Sequence, residues 1–89
     1  MRAMVTVIGK DKVGIIASLS NILANCNVNI LDISQTTMQD VFTMIMLVEI
    51  SGLNIPFSEL SEQLEKKGVE IGLSVKIQHE DIFNSMHQI

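Results

Sequence analysis

Within six residues, Gly9, Lys10, Asp11, Lys12, Val13 and Gly14, the chain sets two glycines, two lysines and an aspartate between apolar runs. A loop of that composition can hold a small charged molecule, because glycines let the backbone approach it and a helix that follows presents amide hydrogens to an anion. The same residues also suit an ordinary strand-to-helix turn. In that reading Gly9 supplies an unusual backbone angle, Asp11 caps the helix and the lysines are solvated.

Other reactive side chains are sparse. Asp32 stands between Leu31 and Ile33, so its carboxylate must face solvent or find a partner. His79, Glu80, Asp81 and His87 resemble metal ligands in type, but eight helical residues separate the histidines by about 12 Å along the axis. A surface role, or a subunit contact for His87, fits better. Nucleophilic catalysis calls for a serine or cysteine beside a base, and both histidines lie in the C-terminal tail. Arg2 precedes the first strand and is the only arginine, which leaves no arginine for a phosphate-binding loop. The expectation is a non-enzymatic protein without cofactor or metal.

Eighty-nine residues make one domain, with 47% hydrophobic residues to build its core. No apolar run approaches the roughly 20 residues that span a bilayer. Arg2 leads straight into strand-like alternation, without the charged, apolar and cleavage regions of a signal peptide. Cytoplasmic residence is therefore expected, without membrane association. One cysteine, Cys26, excludes an internal disulfide and a thiolate-built zinc site. Six Lys/Arg against ten Asp/Glu, with no Trp or Tyr and three Phe, argue against nucleic-acid binding.

The elements that position these residues follow from periodicity. Residues 3–8 read as a strand, and Ile15, Ile16, Leu19, Ile22, Leu23 and Cys26 form one helical stripe, giving a helix over about residues 12–25. Residues 28–37 and 41–50 read as strands of a hairpin joined at Met38, Gln39 and Asp40. The second of these is apolar on both faces, as is the first strand, so both belong in the middle of a sheet. Pro56, Phe57, Leu60 and Leu64 mark a second helix ending at Gly68, with Glu62 and Lys66 as an i,i+4 pair. Alternation from Val69 through Ile71, Leu73, Val75 and Ile77 predicts an edge strand. Ile82, Phe83, Met86 and Ile89 form the stripe of a docking C-terminal helix over residues 79–89, and Met44 and Met46 share a face suited to packing.

The order β-α-β-β-α-β predicts an α+β, ferredoxin-like sandwich with an antiparallel four-stranded sheet plus the C-terminal helix. Right-handed crossovers place both helices on one face. The other face keeps surplus apolar side chains, which predicts a homodimer, with the C-terminal helix sharing the cover.

The stretch VTVIGKDKVGIIASLSNILANCNVNILDISQT, with its G-x-D-x-x-G-I loop and N-x-N-I-L-D-I-S strand, resembles the first half of ACT domains. The resemblance covers about residues 3–78 and is closest to the small stand-alone prokaryotic ACT proteins. It implies a regulatory module for amino acids or related metabolites, with the effector held between the first loop of one subunit and the second strand of another. Carried onto this sequence, the implied site is Gly9, Lys10, Asp11, Lys12, Val13, Gly14 and Ile15 with Asn29, Ile30, Asp32 and Ser34. Amides of the first helical turn would take a carboxylate, and Asp32 an α-ammonium group. A module without a catalytic domain must act on another protein, whose identity is unknown. The alternative is a ligand-free module whose interaction surface is its function.

Overall fold

The computed structural model describes residues 1–10 and 14–86, Met86 by its backbone alone. Chain order is β1 (Arg2–Lys10), α1 (Ile15–Asn25), β2 (Asn29–Met38), β3 (Val41–Glu49), α2 (Phe57–Ile71), β4 (Leu73–His79) and α3 (Glu80–Met86). The four strands form one antiparallel sheet in the order β2-β3-β1-β4. The expected α+β, ferredoxin-like sandwich is thus present, with the two doubly apolar strands at its centre. It is a slab of 36 × 34 × 19 Å.

The core lies between the sheet and the pair α1 and α2. Ala3, Val5 and Val7 of β1, Phe42, Met44, Met46 and Val48 of β3, and Leu73, Val75 and Ile77 of β4 supply the sheet side. Ile15, Leu19 and Leu23 of α1 and Leu60 and Leu64 of α2 close over them. Cys26 is buried among these residues, as its place on the stripe requires. Ile16, expected on the same stripe, is 39% exposed, because the buried stripe runs through Ile15, Leu19 and Leu23 and leaves its neighbour on the flank.

Several boundaries differ from the sequence reading. The second helix does not stop at Gly68 but runs to Ile71 and ends at Gly72, whose φ of 79° is the left-handed conformation that glycine adopts without cost. Gly68 serves contact instead. A Cβ there would lie 2.7 Å from Val75 Cγ2 and 2.9 Å from the Leu73 carbonyl oxygen, so glycine is what lets α2 lie close on β4. Val69 and Ile71 are consequently helical, and the alternating strand begins only at Leu73. The pair Glu62–Lys66 does not form, whereas Lys67 reaches Glu70 at 3.4 Å and Lys76 reaches Glu65 at 3.0 Å.

The hairpin loop reduces to Gln39 and Asp40, with Gln39 at φ 57°. The first helix begins at Ile15, three residues later than expected, with Gly14 rather than Asp11 at its N-cap. Asp11 itself lies outside the described residues. So do His87 and Ile89.

Candidate functional site

The connection from β1 to α1 is anchored at both ends by packing. Gly9 does not have an unusual backbone angle: it is a strand residue paired with Phe42 on one side and Leu73 on the other. A Cβ on Gly9 would collide with Leu73 Cδ2, so the Leu73 side chain crosses the strand where Gly9 has none. Gly14 differs. Its φ is 86°, and among the described residues beyond its chain neighbours no atom lies within 4 Å of where a Cβ would stand. Conformation, and not crowding, therefore calls for glycine there. Its carbonyl accepts the Ser18 amide at 3.0 Å, and the buried Ile15 pins the first turn to the core. Lys10 is exposed at the end of β1, while Asp11, Lys12 and Val13 lie outside the described residues.

The second half of the implied site lies on the edge strand β2. A bulge at Leu31 interrupts its pairing with β3: Asn29 opposes Glu49, Ile30 opposes Val48, and the next pair is Asp32 with Leu47. In a regular strand, Asn29 and Asp32 would point to opposite faces. The extra residue restores them to one side. Asn29, Asp32, Ser34 and Thr36 therefore form a polar row on the sheet face away from the helices, while Ile30 packs against the core. Asp32 is exposed, and its Oδ1 accepts the Ile33 amide at 2.9 Å. No ion pair holds it among the described residues.

These halves stay apart within one protomer. Asp32 lies in the row of Met4, five residues from Gly9, and β3 separates the two strands. That is about 17 Å along the strand and about 10 Å across it. A site holding both would have to be completed by another chain.

A different polar cluster lies at the Arg2 end of the sheet, around a cavity of about 780 Å³ lined by Met1, Arg2, Glu49, His79, Glu80, Asp81 and Ile82. Four of its five charges pair off. Arg2 donates from Nε and Nη2 to the two carboxylate oxygens of Glu80, at 3.1 and 2.8 Å. The Met1 ammonium and the Ser51 hydroxyl both donate to Glu49 Oε2. The ammonium, and next the hydroxyl, lower the Glu49 carboxyl from its ordinary 4.5 to about 2. His79 stacks on Phe57 at the start of α2, with ring centroids 4.2 Å apart. Sequence reasoning placed His79 at the surface and missed this stack, because no spacing pattern links two aromatic rings 22 positions apart.

A smaller hollow of about 380 Å³ lies by the hairpin tip, between Thr36, Met38, Gln39, Val41 and Thr43. The Cys26 thiol is pushed above its usual pKa by burial and by Glu59, which suits packing rather than nucleophilic chemistry. Among the described residues no three His, Cys, Asp or Glu side chains converge as metal ligands. No helix among them is long and apolar enough to cross a membrane.

Comparison with known proteins agrees with this architecture. Residues 2–78 match the ACT domain family. The chain is 56% identical over 89 residues to a UPF0237 protein of Clostridium acetobutylicum, covering all of both chains. It is similar to the solved ACT domain protein from Streptococcus pneumoniae, with 40% identity, a TM-score of 0.80 and 93% of each chain covered. The regulatory subunit of aspartate kinase from Thermus thermophilus, in its ligand-free form, is also similar. There the identity is 25% and the TM-score 0.66, over 86% of this chain and 50% of that one.

Proposed function

Because the chain belongs to the ACT domain family, we propose that it is a regulatory module that binds an amino acid or related metabolite between two copies of itself and acts on another protein. ACT domains are in general regulatory small-molecule-binding modules, and one of the similar structures is a regulatory subunit of a kinase. The observation that carries the finer reading is Gly14. It is a left-handed residue at the mouth of a helix whose first turn is fixed by Ile15. A ligand carboxylate there would meet first-turn amides and the positive end of the α1 dipole.

The start of β2 supplies the second half. An antiparallel pairing of two β2 edges sets the beginning of one strand beside the end of the other, which is the end of the sheet where Gly9 lies. Asn29 of a partner, the first residue of its β2, would then come level with the loop, with Ile30 beside it on the helix side.

A thermal-shift and calorimetric screen of the twenty amino acids tests this reading. A ligand at 100 times its dissociation constant adds about 2.7 kcal/mol to stability. Lys10→Ala, on an exposed side chain at the end of β1, is expected to reduce that gain without changing the unliganded midpoint. Absence of any response from all twenty would rule the reading out. It would leave the ligand-free interaction module, which the apolar face away from the helices favours.

A further inference from the structure

At the hairpin tip, the sheet face away from α1 and α2 sinks into the hollow of about 380 Å³ between Thr36, Met38, Gln39, Val41 and Thr43. Strand register builds it from two rows. Met38 lies opposite Val41, which lies opposite Lys10, and Thr36 lies opposite Thr43, which lies opposite Ile8. Phe42 and Met44 of β3 point into the core, so Val41 and Thr43, with the residues of their rows, point the other way. One row therefore offers two apolar side chains and then an ammonium group. The other offers two hydroxyls and then an apolar side chain.

The groups left open there favour one kind of ligand. Met38, Val41 and Ile8 are 72%, 48% and 46% exposed. The hydroxyls of Thr36 and Thr43, the Gln39 carboxamide and the Lys10 ammonium have no hydrogen-bond or ion-pair partner among the described residues. No carboxylate lines the hollow, since Asp40 stands in the turn outside it. Cross-strand neighbours such as Lys10 and Val41 have Cβ atoms about 5 Å apart, and the lysine chain is long enough to bring Nζ over the hollow. At 380 Å³ the space lies toward the small end of ligand pockets, which run from about 300 to 1,000 Å³.

We propose that this hollow binds a short aliphatic monocarboxylate, its chain on Met38 and Val41 and its carboxylate held by Lys10 and a threonine hydroxyl. An α-amino acid fits poorly, because its ammonium finds no anion in the lining. The site goes beyond the amino-acid reading and does not rest on it: the first turn of α1 lies on the helix side of the sheet, and the hollow on the opposite side.

NMR titration of isotope-labelled protein with isocaproate, which is leucine without its amine, tests the site. Saturable shifts are expected for the amides of residues 36–43, and leucine is expected to leave those amides unmoved. Val41→Glu and Met38→Glu, each on an exposed side chain, should weaken isocaproate binding at least about tenfold, and the second serves if the first does not fold by circular dichroism. Lys10→Gln should weaken isocaproate about tenfold and leave isohexanol, the uncharged analogue, unaffected. The proposal is overturned if isocaproate gives no saturable shifts at millimolar concentration, or if leucine moves the same amides equally. Isocaproate binding that folded Val41→Glu and Met38→Glu variants leave unchanged overturns it as well. An amino-acid response from the β1–α1 loop should persist in both variants, so the two sites are told apart by which response is lost.

Discussion

β1 and β3 each contribute alternate residues to two faces that have little in common. Toward the helices stand Ala3, Val5, Val7, Phe42, Met44, Met46 and Val48, all buried. Toward the other side stand Met4, Thr6, Ile8, Val41, Thr43, Ile45 and Leu47, half-buried or exposed although most are equally apolar. Composition along these strands hardly distinguishes the faces. Burial does, because a sheet of this topology receives both crossover helices on one side. Hydrophobicity in a strand thus records every surface it comes to cover, including those that a single chain leaves open.

Adjacent residues on β3 put that contrast to the sharpest test. Met46→Ala, in the closed core, is expected to cost about 2–5 kcal/mol in urea unfolding, from lost burial and the cavity left behind. Leu47→Ala, on the half-buried side, should cost less than about 1.5 kcal/mol in the same measurement. Equal costs would erase the distinction between the faces.

Gly68→Ala probes how tightly the closed side is built. The added methyl must displace Val75 or the Leu73 carbonyl, so a loss of about 1–3 kcal/mol is expected, where an exposed helical glycine would gain from alanine. Glu49 probes the open side by charge. Its folded-state pKa of about 2 lies below the ordinary 4.5, so its contribution is complete above about pH 4.5 and is lost as pH falls toward 2. Glu49→Gln should therefore flatten the fall of the urea midpoint across that window. The smallest effect is expected at the hairpin, where Gln39 has φ 57°. Gln39→Gly relieves a left-handed conformation and should add about 0.5 kcal/mol, read from the same unfolding curves.

The fold was legible because its pattern is simple: two strands apolar on both sides, one that alternates, and glycines between elements. The misreadings have local causes. Ending α2 at Gly68 treated a contact glycine as a terminator, although Leu64, Gly68 and Ile71 continue the 4-then-3 spacing of the stripe. Val69 then joined an alternation to which it does not belong and stands 80% exposed on the helix. In the candidate site, the loop glycines were visible but their different tasks were not. Gly9 makes room for Leu73, which is distant in sequence, while Gly14 supplies a backbone angle. The ion pair of Arg2 with Glu80 and the stack of His79 on Phe57 depend on where β4 ends beside β1, which no spacing pattern encodes.

The bulge at Leu31 makes the polar row of β2 a matter of parity. Deleting Leu31 would shift the phase of everything before it and seat Ile30 outward, whereas exchanging its side chain would leave the phase intact. The stretch from Asn29 to Asp32 is thus read in steps of three followed by steps of two. A search for related sites that assumes even spacing along the strand would pass over it.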